Sequence, residues 1–500
     1  MVKKIYENIT KNIEVRQNLS QLRKEIKEQM SKVQFLQHLE NKYDTLIALL
    51  SHEDAKTRKN AALLMGDLAC KEFLEPLYEA YCREKQLFIK SSYLLAIQQM
   101  DYRKYLNEFK IRMTELSKIV TDDDNRKHIA EELRALTNLV VTMEGVKMHT
   151  FVGYREPSEI ILLTNRRHTE VTMELLRAIA VLDTSKAKVM SAGIRLPEGC
   201  LDKILPIRTY QEILFLVRGM KTCEMNPEMA ARTIAESQLL DFLTIRHKGK
   251  TPFYFRVELK SKMPLDKKSA FTKKLASELE RMTNRTLINT TSQYEFEIRL
   301  IENKEGKCNV LVRLFTIPDD RFEYRKEVVA ASIKPANAAL LAALAREYMV
   351  EDARVLDPFC GVGTMLIERQ KQIPANTSYG IDYMPEAIEK ARINTEAAGQ
   401  IIHYINKNYF DFTHEYLFDE IFTNMPFAIG HKSEAEIYDS YQHFFAKTKE
   451  HLESRGTIIM YSHNKEYVRK LAPLNGYRII KEIEVNVKEA TYLYVIKIGG

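Results

Sequence analysis

Apolar residues recur at helical spacing from the first residues of the chain to about Val146. An apolar side chain every three to four residues is typical of a helix that buries one face. Proline occurs in this stretch only at Pro76, so the predicted helices are rarely interrupted. The pattern therefore predicts an almost wholly helical first domain, which we assign to residues 1–148.

Two similar helical units are visible inside this domain. Leu46–Leu50 and Asp54–Gly66 are predicted to form two helices around a short polar turn, and a similar unit at Leu77–Ala96 follows about 31 residues later. Such a period is typical of stacked helical pairs, each burying its apolar face on its neighbour. The pattern resembles two or three HEAT-like repeats; a plain helical bundle is the alternative.

From Thr150 the chain changes to short β-rich runs that alternate with helices. The predicted strands are Ile160–Thr164, Phe253–Leu259, Tyr294–Leu300 and Asn309–Phe315, the predicted helices are His168–Leu182 and Ser269–Met282, and Leu201–Leu205 and Glu212–Val217 continue the alternation. Strand, helix and two strands in a small region favour an α+β arrangement with helices on one face of a sheet. We assign this middle region to residues 149–320.

The last third of the chain alternates strand and helix regularly. The predicted strands are Arg354–Leu356, Ser378–Ile381, Ile402–Ile405, Glu420–Thr423 and Thr457–Tyr461. This order is typical of a parallel, doubly wound sheet with helices on both faces. Tyr477–Val485 and Thr491–Ile498 flank a polar turn and are predicted to pair as two further strands. The domain is assigned to residues 321–500.

Composition adds three constraints. A chain of 500 residues is too long for one core, so several domains are expected. No apolar run approaches the roughly 18 residues needed to cross a bilayer, and the first residues are of mixed charge, so we expect a cytoplasmic protein without membrane contact. The six cysteines form no CxxC pair, so reduced thiols and no metal site are expected.

The net charge of +7 permits a polyanionic partner without requiring one. The middle region is rich in lysine, with Lys248, Lys250, Lys260, Lys262, Lys267, Lys268, Lys273 and Lys274 close together in the sequence. Such a run is either an ordinary solvated surface or a patch that faces phosphates, since lysines release counterions when they bind nucleic acid.

A cofactor loop is predicted at Asp357–Thr364, between a buried strand and a helix. Gly361 and Gly363 permit a tight turn with positive φ and let a ligand approach the main chain at the end of the strand. The loop lacks the third glycine of the dinucleotide fingerprint and the Lys-Ser/Thr of a P-loop, so phosphate is not the obvious ligand. A cofactor with an amino-acid end fits better, because backbone amides can bind its carboxylate and Asp357 its ammonium.

Asp382 ends the second strand, about 20 residues after the glycines. A carboxylate at this place can accept both hydroxyls of a ribose, and Tyr383 could lie against an adenine ring. The alternative role of Asp382 is to cap the helix that begins near Pro385.

Asn424-Met425-Pro426-Phe427 follows the fourth strand. An exocyclic amine is a poor nucleophile because its lone pair is delocalised into the ring. Acceptors aimed at its two hydrogens stabilise the charge that develops during attack. The Asn424 side-chain oxygen and the Met425 carbonyl are the candidate acceptors, Pro426 keeps Met425 extended, and Phe427 offers a flat face to the base.

These motifs carry a family resemblance. Asp357–Thr364 together with Asn424–Phe427 resembles the class I S-adenosylmethionine methyltransferases that act on amino groups and bear an Asn-Pro-Pro-aromatic motif. The chain is similar, more specifically, to the THUMP-containing RNA methyltransferases, in which a Tyr-Arg segment and a Lys-Pro-x-x-Ala helix precede the cofactor loop. Here these are Tyr324-Arg325 and Lys334–Ala338.

The resemblance implies a fold class and a set of roles. It implies a multidomain protein: HEAT-like helices, a ferredoxin-like and THUMP-like RNA-binding middle, and a Rossmann-like methyltransferase domain. S-adenosylmethionine is the implied cofactor and RNA the implied partner, with tRNA before ribosomal RNA. The implied cofactor-binding residues are Asp357, Cys360, Gly361, Gly363, Thr364, Asp382, Tyr383 and Asn408; Asn424, Met425, Pro426 and Phe427 are catalytic, and Arg325 and Lys334 bind substrate.

Two positions depart from the family pattern. Met425 replaces the first proline of the motif, although an Asn/Asp-x-Pro-aromatic variant resembles the branch that methylates N2 of guanosine in tRNA. The usual Gly-Asp after the third strand is Lys407-Asn408 here, so either Asn408 or Asp411 is expected to contact the cofactor adenine.

The sequence thus predicts methyl transfer to an exocyclic amine of a nucleobase in RNA, N2 of guanosine in tRNA first. Ribosomal RNA guanosine-N2 and adenine-N6 in DNA or RNA are rival substrates, since the same acceptors suit each amine. A non-catalytic RNA-binding scaffold, whose helical repeats recruit a protein partner, is the rival from another class.

Overall fold

A computed structural model describes residues 2–39, 42–118, 123–144, 148–249, 252–330, 332–427 and 433–499. The chain divides into two compact units, Met1–Met148 and His149–Gly500. The second unit holds both sheets described below.

The first unit is helical throughout its described residues. Its helices are α1 (Val2–Thr10), α2 (Val15–Glu25), α3 (Gln29–Leu39), α4 (Asp44–Ala48), α5 (Ala55–Leu68), α6 (Leu74–Arg83), α7 (Leu87–Ile97), α8 (Leu106–Lys118) and α9 (Asp123–Glu144). They enclose a core of their own, which includes Leu19, Leu64, Phe73, Tyr93 and Leu136. The predicted helical domain is therefore present as a separately packed unit.

The helix pairs predicted from the repeat fall on α4 to α7. Asp54 caps α5, because its carboxylate accepts hydrogen bonds from the backbone amides of Lys56 and Thr57. Gly66 of α5 lies against Ala96 of α7, so closely that a Cβ at this position would stand 2.6 Å from the Ala96 Cα. A small residue is thus needed where these two helices cross. The assignment of the pairs to HEAT-like repeats stays a prediction.

The first sheet of the second unit has nine strands. Its strands are β2 (Ser158–Leu163), β3 (Lys188–Met190), β4 (Gly193–Glu198), β5 (Glu212–Leu216), β6 (Thr222–Cys223), β8 (Phe253–Lys260), β9 (Leu287–Asn289), β10 (Phe296–Glu302) and β11 (Cys308–Leu314). The order is β3-β4-β2-β5-β11-β10-β8-β9, with β6 on β11. The short strands β1 (Thr150–Phe151) and β7 (His247–Lys248) pair separately.

The helices beside this sheet share one core with it. They are α10 (Thr169–Arg177), α11 (Leu201–Ile204), α12 (Pro227–Ala235), α13 (Leu239–Arg246) and α14 (Leu265–Met282). Leu176, Ile234 and Leu279 of the helices pack in one cluster with Phe255 and Phe296 of the strands. The α+β arrangement expected here is therefore observed. The hairpin of β3 and β4 was not predicted, because all three residues of β3 are exposed and show no alternation.

The second sheet has seven strands. They are β12 (Arg354–Asp357), β13 (Thr377–Asp382), β14 (His403–Asn406), β15 (Phe418–Asn424), β16 (Leu452–Ser462), β17 (Tyr477–Asn486) and β18 (Thr491–Ile498), in the order β14-β13-β12-β15-β16-β18-β17. The first five run parallel, and β18 is antiparallel to both of its neighbours. The predicted parallel sheet and the final strand pair are both confirmed.

Helices cover both faces of this sheet. They are α15 (Pro335–Ala345), α16 (Thr364–Gln372), α17 (Pro385–Ala397), α18 (Glu434–Thr448) and α19 (Lys465–Leu474). One core cluster contains Leu341, Leu366 and Ile388, and another contains Phe444 and Val468 on different helices. The strand order changes direction between β12 and β15, and the carboxyl ends of strands at such a point are where open α/β sheets bind their ligands.

The two sheets of the second unit are tied together by polar contacts. Arg208 donates to both carboxylate oxygens of Glu368 at 2.9 and 2.6 Å, and the Tyr324 hydroxyl donates to Glu368 at 2.6 Å. The Asn165 side-chain amide donates to the Val485 carbonyl at 3.0 Å. Glu368 lies on α16, so these bonds anchor the helix that follows the predicted cofactor loop.

Candidate active site

A cavity of about 300 Å³ opens at the carboxyl ends of β12, β13 and β15. The lining residues that the sequence predicted are Cys360, Gly361, Thr364, Asp382, Tyr383, Asn408, Asn424, Met425, Pro426 and Phe427. Residues from three strand ends, far apart in the chain, are thus brought to one place. This is the arrangement expected where parallel strands end at the same edge of a sheet.

The predicted cofactor loop makes a tight turn from β12 to α16. Gly361 and Gly363 have φ of 52° and 81°, values that a residue with a Cβ rarely adopts. A Cβ at Gly363 would also stand 2.2 Å from the Tyr404 hydroxyl oxygen. Gly361 lines the cavity, whereas Gly363 lies behind it, where it lets α16 begin close to Tyr404.

Asp357 is buried at the end of β12 with half of its carboxylate unsatisfied. Its Oδ1 accepts hydrogen bonds from the Thr423 hydroxyl at 2.6 Å and from the Phe359 amide at 3.1 Å. Its Oδ2 has no hydrogen-bond partner among the described residues. Burial, with a smaller contribution from the charge of Asp382, raises the pKa of Asp357 to about 7. A buried acid in this state is prepared for a cationic partner.

Asp382 joins the end of β13 to the glycine loop. Its Oδ2 accepts from the Gly361 amide at 3.0 Å, and its Oδ1 accepts from the Met384 amide at 2.9 Å. The N-cap residue of α17 is Met384, so Asp382 does not occupy the predicted cap position, although its carboxylate binds the Met384 amide just ahead of the helix. Each carboxylate oxygen can accept more than one bond, so acceptor capacity remains on the cavity side.

Two further loop residues face the cavity with different chemistry. The Thr364 hydroxyl is buried and has no partner among the described residues. Cys360 is buried, its amide donates to the Ile381 carbonyl at 2.9 Å, and burial raises the pKa of its thiol well above the ordinary value. Cys360 is therefore a neutral, apolar part of the wall.

Asn408, and not Asp411, lies at the cavity. Asn408 is among the lining residues, and its side-chain oxygen accepts from the Phe410 amide at 3.1 Å. Asp411 does not line the cavity in the part of the chain that is described. Of the two candidates for the adenine contact, the placement favours Asn408.

The Asn424–Phe427 segment leaves β15 beside the end of β16. Asn424 pairs with Tyr461 in the parallel register, and the Met425 amide donates to the Tyr461 carbonyl at 2.9 Å. The Asn424 Oδ1 is buried and has no partner among the described residues. The Met425 side chain is buried in the core beside this strand, which shows how a methionine is accommodated where the family pattern has a proline.

Phe427 has a partner that the sequence did not reveal. Its ring stacks on His463, with centroids 4.0 Å apart and planes at 14°. His463 follows directly after β16, so inspecting the end of every parallel strand would have pointed to it. Residues 428–432, which follow Phe427, lie outside the described part of the chain.

The segment that precedes α15 also contributes to the wall. Val329, Ser332 and Ile333 line the cavity, as do Met384 and Ala387 at the start of α17. These residues were not predicted, because small and apolar side chains in a connecting segment carry no chemical signal. They give the cavity apolar walls, as in most sites for small molecules.

Arg325 and Lys334 adjoin the lining residue Ile333 but are not themselves part of the described lining. Arg325 donates to the Ile333 carbonyl at 3.2 Å, and burial lowers its pKa. Lys334 is exposed and precedes α15, where its carbonyl accepts from the Asn337 and Ala338 amides. Neither residue lines the cavity in the described structure, so their predicted contact with substrate stays a prediction.

The described residues contain neither a cluster of side chains that could hold a metal ion nor a helix that could span a membrane. These residues contain no group of three or more His, Cys, Asp or Glu side chains arranged to hold a metal ion. None of their helices has the length and apolar character needed to span a bilayer.

The sequence of this domain matches a known family. Residues 323–492 match the family UPF0020, described as an RMKL-like methyltransferase domain. The match covers about a third of the chain and spans the whole cavity region. The α/β part of the protein is therefore a methyltransferase domain of the class I fold, and S-adenosylmethionine is its cofactor.

Solved structures extend the likeness beyond this domain. TrmN from Thermus thermophilus is 18% identical with a TM-score of 0.50, over 68% of this chain and 99% of that one. SMU.472 complexed with SAH is 14% identical with a TM-score of 0.52, over 69% and 98%. A predicted N6-adenine-specific DNA methylase from Listeria monocytogenes str. 4b F2365 is 16% identical with a TM-score of 0.51, over 69% and 97%. At these identities the likeness is one of fold.

Proposed function

We propose that the protein transfers a methyl group from S-adenosylmethionine to the exocyclic amino group of a nucleobase in RNA, specifically N2 of a guanosine in tRNA. The observation that carries the proposal is the Asn424 Oδ1, which has no partner among the described residues and is buried at a cavity that the glycine loop also lines. A buried acceptor without a donor costs free energy in the empty site, so a donor on a ligand is expected to satisfy it.

The residues of the first two strand ends fit the cofactor. The Asp357 Oδ2 has no partner among the described residues and can bind the ammonium group of the cofactor, although Asp357 itself is fully buried and absent from the described cavity lining. The positive-φ turn at Gly361 brings the main chain close to the cofactor carboxylate, and Asp382 can accept its ribose hydroxyls. Tyr383 and Asn408 line the side of the cavity where the adenine would lie. When bound, the cofactor supplies an electrophilic methyl group on a sulfonium.

The residues of the third strand end fit an amine. The Asn424 Oδ1 and the Met425 carbonyl accept hydrogen bonds from the two amine hydrogens. These bonds favour a tetrahedral nitrogen whose lone pair is less delocalised into the ring, and they stabilise the charge that develops. Phe427 provides the face on which the base stacks. A base inside folded RNA must leave its stack to reach such a site.

The assignment to tRNA rests on the middle region and its resemblance to the ferredoxin-like and THUMP-like parts of RNA methyltransferases. Its lysines are candidates for phosphate contacts, with Lys250 outside the described residues. The helical first unit, with a core of its own, is proposed to bind a protein partner.

Adenine-N6 methylation is a second candidate. One structure of similar fold is a predicted N6-adenine-specific DNA methylase, and the same two acceptors suit an adenine amine. Nucleoside mass spectrometry of tRNA from a deletion strain separates the two. Loss of N2-methylguanosine that the wild-type chain restores would support the proposal. Loss of N6-methyladenosine instead would show that the substrate is adenine. An unchanged tRNA profile would contradict the assignment to tRNA.

Asp382→Ala is expected to weaken S-adenosylmethionine binding by about 1.5–3 kcal/mol, roughly 10- to 150-fold, because a charged acceptor of hydroxyls is lost. Isothermal titration calorimetry measures the change. Asp411→Ala is the matched control, since Asp411 does not line the cavity of the described structure. This variant should bind S-adenosylmethionine with the affinity of the wild type. Equal affinity in Asp382→Ala and wild type would contradict the ribose assignment.

Cofactor affinity is expected to rise with pH up to about 7 and then level off. The cofactor-free protein carries a proton on Asp357 below this pKa, well above the ordinary value of 3.8. An ammonium partner favours the ionised carboxylate, so binding releases the proton, and affinity increases at most about tenfold per pH unit below pH 7. Calorimetry in buffers of different ionisation enthalpy measures the proton release. Asp357→Asn should bind weakly and without this pH dependence.

The lysine patch, formed by Lys260, Lys262, Lys267, Lys268, Lys273 and Lys274, is expected to set the salt dependence of tRNA binding. Lys260 and Lys274 already pair with Glu258 and Glu228, whereas Lys262, Lys267, Lys268 and Lys273 make no ion pair within the described residues. Replacing these four by alanine should flatten the plot of log affinity against log salt by about 0.7–0.9 unit for each phosphate that is no longer neutralised.

The paired lysines supply the control for this experiment. Lys260→Ala with Lys274→Ala should change the slope less, because their charges are already neutralised by carboxylates. Cofactor affinity should stay unchanged in both variants. An unaltered slope in the fourfold variant would show that the run is a solvated surface.

A further inference from the structure

His463 occupies a fixed position at the end of β16. Ser462, which is fully buried, has its hydroxyl in a hydrogen bond with the Tyr441 hydroxyl at 2.8 Å. On the other side, the Asn464 amide donates to the Ser462 hydroxyl at 2.9 Å, and the Asn464 side chain donates to Tyr441 at 3.4 Å. The turn that carries His463 is therefore held to α18 on both sides of the histidine.

The imidazole of His463 covers one face of Phe427. The two rings are parallel to within 14° with centroids 4.0 Å apart, and the Tyr461 ring meets the imidazole edge-on at 5.6 Å. Phe427 lines the cavity, whereas His463 is absent from its described lining. Phe427 thus stands between His463 and the cavity, so a base in the cavity would meet the face of Phe427 that is opposite His463.

We propose that His463 is a positioning residue for the target base: its ring fixes the plane of Phe427, and Phe427 in turn fixes the plane in which the base meets Asn424. This inference rests on the proposed function and adds a residue to it. Misplacing a reacting group by about 1 Å can cost a hundredfold in rate, so a rigid support behind the stacking ring has a large effect on turnover.

The charge state of His463 suits this role. Burial lowers the pKa of the imidazole, against an opposing effect of the Glu489 carboxylate on the hairpin between β17 and β18. Among the described residues, Tyr461 and Tyr441 are the other titratable groups nearby, and burial raises the pKa of both phenols, so both are neutral. A neutral ring places no positive charge behind a base whose amine becomes positive during attack.

Kinetic measurements on two variants of His463 test whether this residue positions Phe427. His463→Ala should lower kcat/KM for the RNA by about tenfold or more, with the calorimetric affinity for S-adenosylmethionine unchanged. His463→Phe keeps a flat ring in the same place and should restore most of the loss. If His463→Phe is as impaired as His463→Ala, or if His463→Ala turns over like the wild type, the positioning role is overturned.

A second measurement needs no substrate. The chain contains no tryptophan, so Phe427→Trp introduces a single indole at the proposed stack. A protonated imidazole quenches an indole that it touches, so the fluorescence should fall on acidification with a midpoint below the ordinary histidine value of about 6.5. The fall should disappear when His463→Phe is added to Phe427→Trp.

This titration separates the two hypotheses. If the fluorescence is independent of pH, or falls equally in the double variant, the stack is absent and the positioning role is overturned whatever the enzyme methylates. If the quenching is present but RNA guanosine is not methylated, the proposed substrate is wrong while the stacking stands, and the kinetic comparison is then made with the nucleic acid that is methylated.

Discussion

Asn424→Ala is expected to lower kcat for methyl transfer by about 10²–10³-fold, the usual effect of removing one preorganised group that stabilises developing charge. The Asn424 Oδ1 is buried, unpartnered among the described residues and placed at the cavity by β15, so its interaction with the amine is made without reorganisation. Because the interaction strengthens as the nitrogen becomes positive, the loss should appear in kcat more than in binding. Transfer of a labelled methyl group to tRNA under single-turnover conditions measures it.

A conservative variant provides the control. Asn424→Asp keeps an acceptor oxygen at the same distance from the backbone and should retain more activity than Asn424→Ala. Calorimetry should show wild-type cofactor affinity in both variants, since the cofactor is assigned to the first two strand ends. A turnover in Asn424→Ala within about threefold of the wild type would exclude Asn424 as the acceptor that activates the amine.

Arg369→Met is expected to lower the free energy of unfolding of the second unit by about 3–5 kcal/mol, because it leaves a buried carboxylate without its cation. Arg369 and Glu420 are both fully buried and form two hydrogen bonds of 2.9 Å. The guanidinium also donates to the carbonyls of Ile373 at 2.7 Å and Val350 at 2.8 Å. The pair thus joins α16 to β15, the two elements that carry the cofactor loop and Asn424. Denaturant unfolding followed by fluorescence of a bound hydrophobic dye or by circular dichroism measures the loss.

A neighbouring ion pair is the matched comparison. Arg354 binds Asp419, the residue next to Glu420, at 3.0 Å, but about a third of each side chain is exposed. Arg354→Met should therefore cost no more than about 1 kcal/mol, the usual range for exposed pairs. Equal losses in the two variants would show that burial of the Arg369–Glu420 pair does not set its contribution to stability.

Local patterns along the chain were sufficient to predict the order of elements and the strand ends at which the candidate site lies. Apolar periodicity predicted the helical first unit, the mixed middle region and the parallel sheet, because these patterns depend on residues near one another in the chain. The three motifs each follow a strand at Asp357, Asp382 and Asn424. Parallel strands end at one edge of their sheet, so adjacency of these motifs followed from strand and helix alternation alone.

Contacts between segments that are distant in the chain set which groups have partners. Burial raises the pKa of Asp357. One of its carboxylate oxygens accepts from the hydroxyl of Thr423, which lies 66 residues further along the chain, and the other has no partner among the described residues. The stack of Phe427 on His463 depends on the register of β15 against β16. In the lysine patch, the structure shows that Lys260 and Lys274 form ion pairs with Glu258 and Glu228. The sequence alone does not show which lysines are paired in this way.

The structure also decided which predicted residues reach the cavity. Asn408 lines it and Asp411 is absent from its described lining, although the two are only three positions apart across the short helix Tyr409–Asp411. Arg325 and Lys334 were predicted from a motif, yet their hydrogen bonds are with their own segment. A motif specifies residue types in order along the chain. The burial of a site residue and its hydrogen-bond partners depend on side chains from distant elements. These properties can therefore be assigned only when the fold is known.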